Sequence, residues 1–161
     1  MYDFLQESDS LQKYEVKRLI LSPDRWGKYV DITALTWTMV KFDKGQKLVI
    51  PNNKKGVYSF LVQPGIANHP ACSHLLYIGM TDKQSLRQRF MQYIYEKNKP
   101  KGRPLIQKML VRWEKHLWFC YAPIDDISKI SLIEDELLKA FIPPMNKDFP
   151  AEIRRAIGAW A

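Results

Sequence analysis

Two charged residues sit on helix faces that are otherwise apolar, and a run of cations follows the first of them. In Leu75 to Phe90, LLYIGMTDKQSLRQRF, the apolar run Leu75, Leu76, Tyr77 and Ile78 ends at Gly79, a strand signal with a breaker. Thr81, Asp82 and Ser85 then offer oxygens for a turn and a helix N-cap. Turning about 100° per residue from Leu86 puts Phe90 and Ile94 within about 80° of it, and Arg89 and Tyr93 about 60° and 20° to its other side. Arg89 therefore lies at the edge of the packing face and Arg87 nearer solvent. An arginine there stays protonated and offers a planar fork of donors that matches two phosphate oxygens. In the helix read over Ile127 to Phe141, Glu134 falls within the apolar face made by Ile130, Ile133, Leu137 and Leu138, while Asp135 and Glu136 point the other way. A lone buried carboxylate is costly, so the fold must supply a cation, a metal or hydrogen bonds; a glutamate salt-bridged inside the domain is the competing reading. Between Lys97 and Lys115, seven basic residues (Lys97, Lys99, Lys101, Arg103, Lys108, Arg112 and Lys115) accompany one acid, Glu114. That cluster reads as a phosphate-contacting surface, with an ordinary solvated face as the alternative.

The elements that must position these residues are legible in part. Gly56 to Val62 alternates so that Tyr58, Phe60 and Val62 share one face of a strand. The segment Gln63 to His74, with two prolines and a glycine, is a loop, and the strands it joins are expected to pair as an antiparallel hairpin. A helix starting near Ser85 is followed by a basic loop, a basic helix over Leu105 to Lys115 and a third strand over Leu117 to Ala122. Pro143 and Pro144 stop the last helix, leaving Asn146 in an extended segment. Lys47 to Ile50 reads as a short strand. A helical stripe of Leu11, Tyr14, Val16, Leu19 and Ile20 ends at Pro23. From Asp24 to Lys47 the large apolar residues read as a lid on the domain that follows, or as a dimerisation or DNA-contacting arm; Asp31 could cap a short helix there.

The 161 residues carry a net charge of +8 with a pI near 9.5, which favours polyanionic partners. One domain over residues 51–161 with an N-terminal extension over 1–50 is the organisation expected. No apolar run approaches the ~20 residues that span a bilayer, and the acidic start MYDFLQESDS lacks the apolar core of a secretory signal. The expectation is an intracellular protein without a membrane partner, with Cys72 and Cys120 as reduced thiols too few for a four-cysteine zinc site.

Taken in order, Gly56-Val57-Tyr58, Tyr77-Ile78-Gly79, Leu86-Arg87-Gln88-Arg89-Phe90, Glu134 and Asn146 give the chain a resemblance to the GIY-YIG nucleases over about Lys55 to Lys147. The resemblance implies an α/β (α+β) fold with a small three-stranded, mainly antiparallel sheet flanked by helices. It implies hydrolysis of DNA phosphodiester bonds with one divalent ion, Mg²⁺ or Mn²⁺. Carried over residue by residue, Tyr58 and Tyr77 are the motif tyrosines, Arg89 the catalytic arginine, Glu134 the metal-binding glutamate and Asn146 the residue that buttresses the site. Tyr93 stands where the family has His or Tyr. Two features depart from the pattern: Met80 replaces a lysine found in some members, and about two extra residues separate Gly79 from Arg89, with Lys83 as the candidate to move into the lysine's place. Such chemistry needs an activated water, charge stabilisation on the phosphorus oxygens and help for the leaving oxygen. Tyr58 is the preferred base and Tyr77 its partner, although a phenol is a poor base at neutral pH unless nearby cations favour the phenolate. The function expected is a metal-dependent DNA endonuclease of restriction, phage or mobile-element type, able to cut as a homodimer. A nuclease for branched or damaged DNA and a non-catalytic nucleic-acid-binding module of the same fold are the alternatives.

Overall fold

The computed structural model describes residues 20, 22–63 and 73–159. The stripe from Leu11 to Leu19, most of the loop after the second strand, and Cys72 lie outside the described residues. The elements are α1 (Pro23–Trp26), α2 (Val30–Thr33), β1 (Thr38–Lys41), β2 (Gly56–Val62), β3 (His74–Thr81), α3 (Leu86–Glu96), α4 (Pro104–Arg112), β4 (Leu117–Pro123), α5 (Ile130–Phe141) and α6 (Ala151–Gly158). The fold is mixed α/β, and no helix among the described residues is long and apolar enough to cross a membrane.

The sheet has four strands in the order β1-β4-β2-β3, every neighbouring pair antiparallel. The three-stranded expectation is thereby corrected: Thr38 to Lys41, within the segment read as an extension, pairs Val40 with Phe119 and adds an edge strand. Four residues with one buried side chain carry too little periodicity to be read as a strand; the partner strand β4 makes it one. Lys47 to Ile50 is not a strand either. Asp43 caps a 3-10 turn over Lys44–Leu48 by accepting from the Gly45 N–H at 2.8 Å.

β2 and β3 form the antiparallel hairpin, with Tyr58 opposite Gly79 and Phe60 opposite Tyr77. β4, last in sequence, returns to the other side of β2 and sets Tyr121 against Tyr58. Gly56 starts β2 with φ 155°, and a β-carbon there would collide with the Ala122 carbonyl oxygen, so the close approach of β4 requires glycine.

Each face of the sheet has its own core. On one, Tyr58, Phe60, Val62, Phe119 and Tyr121 pack with Leu86, Phe90 and Tyr93 of α3 and with Ile106, Met109 and Leu110 of α4. On the other, Val57, Ile78 and Ala122 pack with Ile130, Ile133, Leu137 and Leu138 of α5 and with Ile32. Fully burying each of these aliphatic side chains is worth about 2 kcal/mol, and their spacing is what fixes which side of each helix faces in. α1 is tied down as well: Trp26 Nε1 donates to the Ala140 carbonyl at 3.0 Å, and Arg25 pairs with Glu152 of α6.

Candidate active site

The site lies at the free edge of β3, with α3 packed on one face of the sheet and α5 on the other. Ser85 begins α3 with a capping box, its Oγ accepting from the Gln88 N–H while Gln88 Oε1 accepts from the Ser85 N–H. This sets the helix register that turns Arg89 inward. Arg89 Nε donates to the Tyr58 hydroxyl at 2.8 Å and its NH1 to Gln92 Oε1 at 3.0 Å. The guanidinium carbon stands 5.3 Å from the Tyr93 ring centroid and 5.8 Å from that of Tyr58. Tyr58 and Tyr93 share a hydroxyl–hydroxyl bond of 3.0 Å, and Tyr77 lies beside both, with ring centroids 6.4 Å from Tyr58 and 6.3 Å from Tyr93. The three tyrosines and Arg89 form one cluster.

Gly79 is what admits Tyr58 to that cluster. A β-carbon on Gly79 would lie 2.6 Å from the Tyr58 hydroxyl oxygen, so the phenol occupies the space that any other residue would take.

Asn146 braces β3 from outside. Its Oδ1 accepts from the Ile78 N–H at 3.0 Å and its Nδ2 donates to the Ile78 carbonyl at 2.8 Å, while the Met145 N–H donates to the Leu76 carbonyl. A side-chain amide thus substitutes for a fifth strand, satisfying edge groups that would otherwise be left open. The turn that delivers Asn146 begins at Ile142, which caps α5 in the left-handed region (φ 42°), a costly conformation for a β-branched residue that buried packing and the following prolines enforce.

Glu134 lines a cleft of about 430 Å³ together with Tyr77, Arg103, Leu138, Asn146 and Lys147. Among the described residues it has no hydrogen bond or ion pair. Desolvation pushes its carboxyl up to about 7, Asp135 and Asp82 add to the shift, and Arg89 opposes it. The salt-bridged alternative therefore does not describe Glu134. Burial drives Tyr58 well above the ordinary phenol range, reinforced by Tyr93 and Tyr77, and Arg89 only partly offsets it. Tyr77 is raised as well, again chiefly by burial. For both phenols burial outweighs the nearby cations and favours the protonated form.

The basic residues separate. Arg103 joins the site: its guanidinium carbon is 5.1 Å from the Tyr93 ring centroid, and Glu96 holds it by accepting from the Arg103 backbone N–H at 2.8 Å and from its Nε at 3.4 Å. Lys99 lines the same groove as Arg89 and Arg103. Lys97 pairs with Glu114. Lys83 is exposed in the turn before α3, with no contact to the tyrosine cluster that would put it in the place of a catalytic lysine. Lys101, Lys108, Arg112 and Lys115 are exposed and line none of the clefts around Arg89 and Glu134. Arg87 is also not the solvent-facing residue its helical angle implies. Its Nε donates to the Ile50 carbonyl at 2.7 Å and its NH2 to the Leu48 carbonyl at 3.3 Å, pinning the segment before β2 against α3.

Gln92 and Lys147 escape a reading of the sequence. Gln92 is a surface amide three residues after Arg89, and its role shows only in the bond it accepts from Arg89; Lys147 reaches the cleft because Asn146 anchors its neighbour on β3. No family model, no curated protein and no solved structure matches the chain.

Proposed function

We propose that the chain is a metal-dependent endonuclease that hydrolyses phosphodiester bonds in DNA with a GIY-YIG-like arrangement of residues. The observation that carries this reading is the convergence on one strand edge of a fixed guanidinium, Arg89, and an unpaired carboxylate, Glu134, beside three tyrosines. A hard divalent cation fits this donor set. Mg²⁺ is commonly held by one or two carboxylates with waters and substrate phosphates as its remaining ligands, and Glu134 offers one such carboxylate in an open cleft. A bound ion would supply Lewis-acid polarisation of the phosphate and stabilise the leaving oxygen.

The chain's own residues do the rest. Tyr58 holds Arg89 through Nε and Gln92 holds it through NH1, which leaves the NH2 side of the fork for two phosphate oxygens. Arg103 adds a second cation against the Tyr93 ring, in the same groove as Arg89. Tyr58, accepting from Arg89, orients the arginine in the resting protein; added positive charge beside it, and not the anionic phosphate, is what would lower its pKa toward that of a base. Supercoiled plasmid incubated with the protein should be nicked with Mg²⁺ and left intact with EDTA. Equal plasmid loss under both conditions, or none, contradicts the reading.

A further inference from the structure

α3 borders two further grooves besides the cleft that holds Glu134. A groove of about 550 Å³ runs between this helix and the 3-10 turn before β2, lined by Lys47, Asn52, Arg87, Gln88, Gln92 and Tyr95. A second groove, of about 670 Å³, shares Gln92 and Tyr95 with the first and continues to Arg89, Lys99 and Arg103. The two form one track that joins at Gln92 and Tyr95, and Gln92 there accepts from Arg89.

The chemistry of the track is one-sided. It carries five cations, and its one carboxylate, Glu96, is buried and committed to Arg103. The amides are turned the same way. Gln88 Oε1 is used by the Ser85 N–H and Asn52 Oδ1 by the Ser85 hydroxyl, so what both present outward is NH₂, a donor. Gln92 is fixed by a reciprocal pair of amide bonds with Gln84, 2.7 and 2.8 Å, and Arg87 by two backbone carbonyls. A rigid surface of donors without a free acid complements a ligand rich in acceptors and negative charge. Tyr95 is 63% exposed and takes part in none of the ring contacts of the core. An uncovered aromatic in a cationic groove is a stacking platform for a nucleobase, and base faces are available only where the strand is unpaired.

We infer that the outer face of α3 binds an unpaired DNA strand, with Tyr95 stacked on a base and the groove on either side holding the flanking phosphates. This rests on the nuclease reading for its direction, since the track would lead a phosphate to Arg89, but strand binding itself needs no cleavage.

The test uses fluorescence anisotropy in EDTA with a labelled oligothymidylate about twelve nucleotides long and a duplex of equal length. Tyr95→Ala should weaken oligothymidylate binding about five- to a hundredfold, while Tyr95→Phe retains it and the affinity for duplex changes less than about twofold. Lys47→Ala with Lys99→Ala should flatten the slope of log K against log salt on the single strand by about 1.4. Equal affinities of Tyr95→Ala and wild type for the single strand, equal losses on single strand and duplex, or a Tyr95→Phe as weak as Tyr95→Ala would each overturn the inference. A wild-type protein that binds the single strand as described yet fails to nick plasmid with Mg²⁺ defeats the nuclease reading and leaves the track standing.

Discussion

Tyr58 and Gly79 face each other across the β2–β3 pair, and the tyrosine hydroxyl sits where a β-carbon of residue 79 would be, 2.6 Å from its ideal position. The glycine therefore serves the arginine at one remove: it admits Tyr58, and Tyr58 holds Arg89 through Nε. Gly79→Ala must push the ring aside within a core that contains Phe60, Phe119 and Tyr93, an overpacking that costs about 1 to 3 kcal/mol. A lowered denaturation midpoint at unchanged m-value, together with a loss of cleavage larger than the loss of folded protein, is the expected pair of results. Wild-type stability would mean that Tyr58 does not occupy this position.

With no cation bound, the protein should lose stability as pH rises from the ordinary carboxylate range to about 7 because of Glu134. Its folded pKa, pushed up to about 7, lies above the ordinary carboxylate value, so between the two values the native state holds a proton that the unfolded state has released. Stability attributable to this group is thus full at acid pH, falls as pH rises to about 7 and is flat above. Since the carboxylate lines an open cleft, the change is discounted to about 1 to 2 kcal/mol. Glu134→Gln should abolish this component in urea unfolding at pH 5 and pH 8 with EDTA present. A variant with the same pH dependence as wild type would place the titration elsewhere.

The same proton competes with a cation. Below about pH 7, each unit of acidification should weaken Mn²⁺ binding, followed by electron paramagnetic resonance, about tenfold, with little change above pH 8. Affinity independent of pH from 5 to 8 would exclude Glu134 as the ligand.

Asn146→Ala removes both bonds to Ile78, leaving a buried N–H and carbonyl at the β3 edge without partners, which costs about 1 to 3 kcal/mol. Asn146→Asp keeps the acceptor for the N–H but sets a carboxylate against the carbonyl, and should fare no better. Faster hydrogen exchange of the Ile78 amide in both variants is the signature to look for; unchanged exchange would show that the edge is protected by something else.

How far these relationships could be read in advance depends on whether they are local. The side of α3 that carries Arg89 and the side of α5 that carries Glu134 follow from the period of 3.6, which needs nothing beyond the chain itself. The strand expected to end at Gly79 instead runs on to Thr81, because Gly79, Met80 and Thr81 pair with Tyr58, Val57 and Gly56 of β2. β1 could not be read, because Thr38 to Lys41 is a strand only through its ladder with β4, nearly eighty residues away. Arg87 misled for a similar reason: its angle on the helix points outward, but the segment ending at Ile50 folds over that side and claims its donors. Arg103 looked like one cation of a basic cluster. Only the chain reversal between α3 and α4, locked by Glu96, brings it to Tyr93.

The central claim is that Arg89 and Glu134 act together on a phosphodiester, and single-turnover cleavage with Mg²⁺ compares them directly. Arg89→Lys keeps the charge but loses the fork and the Nε bond to Tyr58, so its rate should fall about a hundred- to a thousandfold, the cost of one charge-assisted contact made in the transition state. Glu134→Gln, nearly isosteric but unable to hold the cation as a carboxylate does, should fall at least as far, with both variants binding uncleaved DNA close to wild-type affinity. Cleavage by either variant within about threefold of wild type contradicts the account.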